Sequence, residues 1–545
     1  MSGDLKVTSE SDSSLVKVSN TLESSSQHDI PSMSWWGSFK DGFKPSPYCT
    51  TVDTTNLTDI ERANKGVEQT VLNKDLKNRH LQMLSLGGTL GTGLLIGSGS
   101  ALATGGPAAL IIGWGIIGTM VFNTVHALGE LCVALPVSGA FSSYATRFID
   151  SSWGFAVGWN YALMWLIVLP LELVAAAISI QFWNSNINPV AWVSVFYILI
   201  VAINLFGVKG YGEAEFILST FKVIALSGFI ILGVILVCGG GPTHEFIGSR
   251  YWKDPGPFAN GFKGVCSVFV TASYSLAGSE LVGLAASESE DPSKTLPKAI
   301  RQVFWRIFFF FFITLTIVGL LVPYTSSNLF GSGSAVSPFV IAINNAHIKV
   351  LPSIFNAVIL VSVISVGNSA VYGCSRTIQS LGAQGLAPKF CAYVDKRGRP
   401  LGGLLVAAVF GLLCFLSAYK DEESIFAWLL SISGLSTIFS WINIGVCHIR
   451  FRMALKLHGK TTDDLEFVSI GGIWGSIYSI VLLILVLIAQ FWVALFPVGG
   501  DGSPNARIFF QNYLGVIVIL VFYLAHKLYS KNWRLCVPLY SVKLD

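Results

Sequence analysis

The sequence predicts an all-α integral membrane protein with twelve transmembrane helices, of which helices 1 and 6 are broken. Three observations support this fold class. The 545 residues are 52% hydrophobic and only 12% charged, whereas about 25% of the residues in soluble proteins are charged. Twelve apolar segments approach the length of about 20 residues that spans a bilayer. The first segment, and later the sixth, is interrupted by small and polar residues.

Residues 1–76 precede the membrane domain and are rich in Ser, Thr, Asp and Asn. We expect a disordered cytosolic tail, because this stretch carries too little apolar surface to fold alone. The chain is polar from its start, so no cleavable signal peptide is visible. The tail is either an inert leader or a target of ubiquitylation and trafficking machinery. Its candidate acceptor lysines are Lys17, Lys40, Lys44 and Lys65.

The apolar segments, called segments 1 to 12 below, begin after Arg79-His80. They cover approximately residues 82–102, 107–133, 154–182, 190–207, 214–238, 264–287, 303–323, 351–381, 400–418, 424–447, 471–495 and 508–528. Residues 337–350 are too few to span a membrane and fit a surface helix better. The transmembrane domain therefore covers 77–530, and 531–545 form a short cytosolic C-terminal tail.

The charges in the connecting loops predict the orientation. With the N-terminus in the cytosol, thirteen Lys and Arg residues lie in inside loops and six in outside loops. This bias follows the positive-inside rule. An even number of spans returns the C-terminus to the cytosol, so both termini are predicted to be cytosolic.

Segment 1 has a composition that a plain membrane-spanning helix would avoid. Residues 86–99 contain six glycines and three Thr or Ser residues, and each glycine costs a helix about 1 kcal/mol relative to alanine. Such a stretch can unwind and offer backbone N–H and C=O groups to a polar ligand, which is tolerated at membrane depth only where it lines a cavity. The alternative for these glycines is close helix packing through small residues.

Segment 6 carries a matching interruption at residues 271–280, again small and polar. Segments 1 and 6 are the first members of two sets of five helices, so the two breaks occupy corresponding positions. Paired interruptions of this kind are typical of transporters built from inverted repeats. The sequence therefore predicts a five-plus-five inverted repeat.

Eight short runs of the sequence carry a family resemblance: residues 79–83, 91–93, 127–130, 208–216, 264–270, 278–288, 366–369 and 448–451. Through these runs the chain resembles the fungal (yeast-type) amino acid permeases of the amino acid–polyamine–organocation superfamily, and most closely the general amino acid permeases. The resemblance covers roughly residues 77–535. Two features depart from that pattern, namely Leu276, where general permeases usually have an aromatic residue, and a shorter C-terminal tail.

The resemblance implies the inverted-repeat fold, a plasma-membrane location and proton-coupled uptake. An amino acid brings a carboxylate and an ammonium group. We expect the carboxylate at the start of a half-helix, where free N–H groups point outward, and the ammonium at carbonyl groups where another half-helix ends. The predicted substrate-binding residues are Thr89, Gly91, Thr92, Gly93, Ser273, Tyr274, Ser275, Ala277 and Gly278. The resemblance places Tyr274 as an aromatic gate, although a packed core aromatic is the alternative.

Charged residues inside the membrane are costly unless they are paired or neutral, so they are functional candidates. Lys222 lies within segment 5 and matches the position where proton-coupled relatives replace a bound cation by lysine. Glu280 resembles the proton-sensitive glutamate of the family. Glu130 in segment 2 and Glu172 in segment 3 complete the predicted proton-coupling set. For all four, a fixed structural ion pair is the alternative.

The preferred function is therefore a proton-coupled secondary active transporter that imports L-amino acids of broad range across the plasma membrane. The alternatives are an amino acid sensor (transceptor) on the same fold, or a permease narrow for one amino acid class. The predicted partners are L-amino acids, protons and the lipid bilayer. The net charge of +4 is too small and scattered to suggest nucleic acid. No metal-ligand spacing and no nucleophile–base pair is visible, so neither a cofactor nor enzymatic activity is expected.

Overall fold

The apolar segments are helical in the computed structural model, because long apolar runs in a membrane satisfy their backbone groups internally. The structure describes residues 41–46, 61, 72, 74–137, 139–183, 186–329, 337–418, 422–542 and 544, with the side chains of 417–418 and 422–427 left aside. Contacts divide the chain into Met1–Lys44 and Pro45–Asp545. In the first unit only residues 41–44 are described, and there Lys44 pairs with Asp41 at 2.7 Å. All that follows concerns the second unit; Lys17 and Lys40 fall outside the described residues, as does Lys65.

The helices follow the order of the predicted segments. In chain order they are Asn78–Gly87, Thr92–Leu95 and Gly97–Gly105 (segment 1); Pro107–Ala134 (2); Ser151–Gln181 (3); Pro189–Leu205 (4); Gly207–Val237 (5); Gly261–Leu276 and Leu281–Leu284 (6); Pro292–Arg301, Val303–Arg306 and Thr314–Leu321 (7); Leu351–Ala383 (8); Leu401–Gly411 (9); Glu422–Leu457 (10); Gly472–Leu495 (11); and Ala506–Ser530 (12). Short helices Ala140–Phe148 and Pro338–Asn345 lie in connections, and a π-helical stretch, Ile307–Ile313, runs through segment 7.

Length and composition support a multi-pass membrane protein. Within the described residues, nine helices are long and apolar enough to cross a membrane, and segment 1 would make a tenth as a pair bent by 48°. Segments 4 and 9 form shorter apolar helices, Pro189–Leu205 and Leu401–Leu416. The all-helical membrane class is thus confirmed, while the count of twelve stays a prediction.

Segments 3 and 8 form the centre of the helical domain. In segment 3, 94% of the most apolar window is buried within the protein, compared with 11% in segment 12. Segment 3 packs along segment 8 and also contacts segments 4, 10 and 12. A central helix needs apolar residues on all faces, and this explains why segment 3 shows no polar stripe. It also places any polar side chain of segment 3 deep inside the protein.

Residues 337–350 differ from the prediction of a surface helix. The helix Pro338–Asn345 is too short to span, but its residues 338–343 are buried. Phe339 packs against Phe229 of segment 5 and Phe355 of segment 8, with ring centroids 4.8 and 5.6 Å apart. Sequence length excluded a span correctly, yet the apolar run packs against protein rather than lying on the surface.

Segment 5 begins seven residues earlier than the prediction of 214, at Gly207. The polar motif at 208–216 is therefore helical and continues directly into the apolar part of the segment. Consequently Tyr211, Glu215 and Lys222 all belong to one helix, and all three are buried. Glu215 and Lys222 are seven residues apart, which places them on the same face, about two turns from each other.

The C-terminal stretch after segment 12 packs against the helical domain. Val537 and Val542 are buried, and the Val537 amide donates to the Ile149 carbonyl at 2.7 Å. Arg450 of segment 10 donates to the carbonyls of Phe148 and Val537. These contacts tie the chain end to segment 10 and to the connection before segment 3.

Candidate substrate and proton sites

Segment 1 is broken where the glycines cluster. The first helix ends at Gly87, and the chain resumes helical geometry at Thr92 for one turn before a second break at Ile96. Gly91 begins that turn in an extended conformation. A Cβ on Gly93 would lie 2.5 Å from the Ser275 Cα of segment 6, so glycine is required there for close approach. The predicted break in helix 1 is present.

Segment 6 is broken at Ala277–Glu280, between the helices Gly261–Leu276 and Leu281–Leu284. Gly278 has φ +92°, which favours glycine. A Cβ at this position would lie 2.6 Å from the Gly88 carbonyl oxygen. The two breaks therefore meet backbone to backbone, with Gly88 against Gly278 and Gly93 against Ser275.

A narrow cavity lies at this junction, and the space open to the centre of a water-sized sphere is only about 10 Å³, which is room for about one water molecule. Segments 1, 3, 6 and 8 supply its walls. The lining residues are Gly88, Thr89, Gly91, Thr92, Gly93, Met164, Trp165, Val168, Glu172, Tyr274, Ser275, Ala277 and Val366. Seven of the nine predicted substrate-binding residues are thus gathered around one space.

The other two lie beside that space. Ser273 donates from Oγ to the Phe269 carbonyl of its own helix at 2.8 Å, and Gly278 packs against Gly88. Leu276 is buried at the end of its helix and does not line the cavity. Its carbonyl accepts from the Ser279 hydroxyl at 2.9 Å.

Glu172 is the only carboxylate among the residues that line this cavity. Its Oε1 accepts from the Thr92 hydroxyl at 2.6 Å and from the Tyr274 hydroxyl at 2.9 Å. Its Oε2 is buried and has no hydrogen-bond partner among the described residues. A buried polar atom without a partner is uncommon and marks a place for an additional donor. A cationic or N–H donor in the cavity would satisfy it.

Tyr274 closes against this carboxylate. Besides its bond to Glu172, its hydroxyl lies 3.2 Å from the Thr92 Oγ1. Three side chains from segments 1, 3 and 6 thus form one hydrogen-bonded triangle at the junction. Ser275 is held by the indole Nε1 of Trp114 in segment 2, which donates to its Oγ at 2.6 Å.

Lys222 of segment 5 contacts the backbone at the start of the segment 1 break. Its Nζ donates to the Gly87 carbonyl at 2.6 Å and lies 4.0 Å from Glu215 Oε1. Gly87 is the last residue of the helix before the break, so its carbonyl cannot be satisfied by a continuing helix. A lysine inside segment 5 thus replaces an intrahelical donor at this point.

Glu280 caps its own break. Both of its oxygens accept from the Gly278 amide, at 3.1 and 3.2 Å. Trp441 Nε1 of segment 10 donates at 3.3 Å and the Tyr161 hydroxyl of segment 3 at 3.4 Å. The carboxylate therefore joins the unwound part of segment 6 to two neighbouring segments.

Glu130 lies apart from the breaks, near the end of segment 2. Arg452 Nε lies 2.5 Å from its Oε1, and His448 Nε2 lies 3.2 Å from the same atom. The Ser469 amide donates to Oε2 at 2.7 Å. These contacts join segment 2 to segment 10 and to the following loop. The geometry favours the fixed ion pair that the sequence left open as the alternative for this residue.

Sequence reasoning missed several partners of these charges. Glu215 lies in the run 208–216 but is not among the residues predicted for proton coupling. Its spacing of seven residues from Lys222 is a signal that could have identified it. Arg452 and His448 could not be assigned to Glu130, because they are more than 300 residues away in the chain. In segment 8, the Asn368 Oδ1 accepts from Asn204 Nδ2 at 2.7 Å, and the Tyr372 hydroxyl donates to Glu288 at 2.8 Å.

Comparison with known proteins identifies the family of this chain. The family model "Amino acid permease" matches residues 80–538. The chain is 64% identical over 531 residues to amino-acid permease GAP3 of Candida albicans, covering 94% of this chain and 89% of that one. It is 54% identical to general amino-acid permease GAP1 of Saccharomyces cerevisiae, covering 94% and 86%. It is also 54% identical to the tryptophan permease of that yeast, covering 90% and 80%. With a family match over most of its length and two breaks that enclose a polar cavity, this chain belongs to the amino acid permease family.

Proposed function

We propose that this protein imports L-amino acids of broad range across the plasma membrane, together with protons. The observation that carries the proposal is the unpartnered Glu172 Oε2 in a cavity between two broken helices. Related proteins are named as amino-acid permeases, and transporters are expected to bind their substrates at such breaks. No step of this activity requires a covalent reaction.

The two ends of the cavity suit the two charged groups of an amino acid. The substrate ammonium pairs with Glu172 and with carbonyl groups where the helix Gly261–Leu276 ends. The carboxylate accepts hydrogen bonds from N–H groups at the start of the turn Thr92–Leu95, where the first amides of a helix have no internal acceptor. In this arrangement the Thr92 hydroxyl lies between the ammonium group and the carboxylate of the substrate. Glu172 thus serves the substrate directly, in addition to its predicted part in proton coupling.

The walls of the cavity receive the substrate side chain. Met164, Trp165, Val168 and Val366 present apolar or aromatic surface, which accepts side chains of different shape without requiring a particular hydrogen bond. Tyr274 closes over the bound molecule, where a ring favours an ammonium group through a cation–π contact. Breadth of substrate follows from recognising the amino and carboxyl groups by polar contacts and the side chain by apolar ones.

Following the family resemblance, proton coupling is assigned to Lys222, Glu280 and Glu172. Glu130, the fourth residue predicted from the sequence, is instead assigned to its ion pair with Arg452. Lys222 replaces a cation at the segment 1 break, so no sodium is needed. The available energy is sufficient: one proton that moves down ~100 mV releases about 2.3 kcal/mol, and one pH unit adds about 1.4 kcal/mol. Together these support an accumulation of a few hundredfold.

The architecture that accompanies this function has twelve spans in a five-plus-five inverted repeat. Support comes from the bent segment 1 and the interrupted segment 6, which occupy corresponding positions in the two sets. Residues 77–530 form the transmembrane domain, and the tails 1–76 and 531–545 lie in the cytosol. Ubiquitylation and trafficking machinery would act on the N-terminal tail, where Lys44 is exposed.

A transceptor and a narrow permease are the competing functions. The chain is 54% identical both to a general permease and to a tryptophan permease, so overall sequence identity does not decide whether its substrate range is broad or narrow. The apolar walls of the cavity favour a broad range of substrates.

The experiment is uptake of a labelled amino acid into energised vesicles, with all twenty amino acids as competitors. We expect uptake to persist when choline replaces sodium and to collapse when a protonophore is added. We also expect competition by several chemical classes. Dependence on sodium would refute proton coupling. Competition by a single class would identify a narrow permease, and saturable binding without accumulation would identify a sensor.

A further inference from the structure

We infer that Glu215, in segment 5, is the carboxylate that takes up the transported proton, while Lys222 keeps its charge and holds the segment 1 break. This inference rests on the proposed function and names a residue that the family resemblance did not supply. It depends on the position of Glu215, on one unpartnered oxygen and on the balance of buried charge.

Glu215 lies directly behind the segment 1 break. Its side chain is 1% exposed, as is that of Lys222. A Cβ on Gly87 would collide with its carboxyl group, so the absence of a side chain at Gly87 makes room for it. The same Gly87 provides the carbonyl that Lys222 binds. Glu215 and Lys222 therefore share one residue of segment 1 as their neighbour.

One oxygen of Glu215 is saturated and the other is free to accept a proton. Oε1 accepts from the hydroxyls of Ser365 at 2.5 Å and Ser219 at 3.1 Å, and lies 4.0 Å from Lys222 Nζ. Oε2 is buried without a hydrogen-bond partner in the described part of the chain. Asn368 is the donor that interacts with this carboxylate from segment 8, but its Nδ2 makes no hydrogen bond of normal geometry in the described part of the chain. A carboxyl oxygen that has no donor is the one on which an O–H bond can form.

The buried charges around the break do not balance without a proton. Lys222 interacts electrostatically with both Glu215 and Glu172, so one positive and two negative groups share this region. Its net charge is negative when all three are ionised. One added proton makes the group neutral, and burial in a membrane strongly favours neutrality. One proton taken up per cycle therefore has a clear electrostatic reason.

The choice of Glu215 over Glu172 follows from their surroundings. Glu172 faces the substrate cavity, where the amino acid brings its own positive charge. Glu215 does not line that cavity and instead contacts segments 1 and 8. The groups that face Glu215 are Lys222, Ser219 and Tyr211 from its own helix, Ser365 and Asn368 from segment 8, and the Gly87 backbone from segment 1. Among these groups, Lys222 is the one basic side chain.

The step is a simple protonation. A proton from the outer solution forms an O–H bond with Glu215 Oε2, and that bond breaks when the proton leaves to the inner solution; no electron moves. Protonation removes the charge that Lys222 shares with Glu215. Lys222 is then attracted to Glu172 alone, across the segment 1 break. Protonation of Glu215 thereby changes the electrostatic interaction between Lys222 and Glu172, which lines the cavity where the substrate binds.

A polar path leads from Glu215 toward the end of segment 8. Tyr211, one turn before Glu215, bonds to Ser369 at 3.0 Å and stacks on Tyr372 with ring centroids 4.3 Å apart. Tyr372 donates to Glu288 at 2.8 Å, and Arg376 pairs with the same carboxylate at 2.8 Å. In the proposed orientation this path lies on the cytosolic side and provides the route of release.

The test uses the full-length protein in liposomes loaded with a pH-sensitive dye. Wild-type protein should acidify the lumen as it accumulates a labelled amino acid under an inside-negative potential. Glu215→Gln should abolish acidification and reduce accumulation from a few hundredfold to equality with the outside. It should retain exchange of internal for external amino acid, because glutamine resembles the protonated carboxyl group.

Matched variants separate this role from a structural one. Glu213→Gln makes the same change two residues away, at a partly exposed residue that pairs with Arg79, and should leave acidification unchanged. Glu215→Asp keeps a carboxyl group and should restore acidification with a shifted pH dependence. Normal acidification by Glu215→Gln would overturn the inference, and so would loss of exchange in a folded Glu215→Gln protein together with an inactive Glu215→Asp. If wild-type protein itself accumulates substrate without acidification, the proposed proton coupling fails first.

Discussion

Glu172 shows how one side chain can be both satisfied and available. Its Oε1 is held by Thr92 and Tyr274, whereas its Oε2 has no partner in the described structure. The first oxygen fixes the carboxyl group in place, and the second is left for a donor in the cavity. A carboxylate positioned in this way binds an ammonium group without first losing an internal bond.

Thr92→Val tests this arrangement, because valine keeps the shape of threonine and removes its hydroxyl. Glu172 would lose its 2.6 Å donor and keep only Tyr274 on that oxygen, and a hydrogen bond to a charged group contributes roughly 1.5–3 kcal/mol. We expect the KM for amino acids to rise about 10- to 100-fold, measured by initial uptake rates. Thr316→Val is the matched control, since the Thr316 hydroxyl bonds only to the Phe312 carbonyl of its own helix. An unchanged KM for Thr92→Val would remove Thr92 from the site.

Single residues were predicted unevenly from the sequence. Lys222 and Glu172 were found because a charge in an apolar run is visible without a structure. Glu215 was missed because it lies in a polar motif and because the predicted start of segment 5 at residue 214 placed it at the very end of the apolar segment. The donors to Glu280, Trp441 and Tyr161, are distant in the chain, and nothing local marks such pairs.

At the scale of helices, the contact between the two breaks is the central feature. Gly278 adopts φ +92°, and its missing side chain is what lets the Gly88 carbonyl approach. Both breaks were predicted from glycine and small polar residues, since such residues weaken a helix. Their mutual contact was not predicted, because no sequence pattern states which turn of one helix faces another.

Gly278→Ala should therefore separate segments 1 and 6. We expect loss of uptake and a destabilisation of roughly 1–3 kcal/mol from backbone strain alone, with more from the contact to Gly88. Thermal unfolding in detergent and uptake in cells measure the two effects. Gly256→Ala is the control, because φ is +117° there but nothing lies within 4 Å of the added Cβ. Gly256→Ala should lower the thermal stability because of backbone strain but should transport normally. If both variants transport equally well, the contact between the breaks is dispensable.

The cluster around Glu130 joins segment 2 to segment 10 through Arg452 and His448. Glu130→Gln would leave Arg452 and His448 without their carboxylate. Removal of one partner of a buried pair costs roughly 3–5 kcal/mol, so thermal stability should fall markedly. The number of protons moved per amino acid should stay the same in the protein that folds. A changed proton ratio would instead assign Glu130 to coupling, as the sequence first suggested.

At the scale of the whole molecule, the order and type of the helices were predictable because apolar length is a strong signal. The ends of the helices were less so: segments 5, 7 and 10 extend beyond their apolar cores into polar sequence. The helix Pro338–Asn345 was assigned to the surface because it is short, yet it is buried by packing. Length alone cannot distinguish a helix that lies on the protein from one that lies inside it.

The topology with both termini in the cytosol can be checked with two cysteines. Among the described cysteines only Cys238 and Cys536 are exposed. Cys238 follows segment 5 and is predicted outside, whereas Cys536 belongs to the C-terminal tail. Cys49 lies outside the described residues, so the experiment uses a Cys49→Ser variant. In that variant, a membrane-impermeant maleimide should label Cys238 in intact cells and Cys536 only after permeabilisation. Labelling of Cys536 in intact cells would contradict the predicted topology.

The division of labour within the cavity has an evolutionary consequence. Its polar half is built from backbone and from three mutually bonded side chains, so nearly any substitution there disturbs recognition of every amino acid. The apolar half consists of Met164, Trp165, Val168 and Val366, which bond to no part that all amino acids share. In the proposed function, substitutions at these four positions change the range of side chains that the protein accepts, while the contacts to the amino and carboxyl groups of the substrate stay the same.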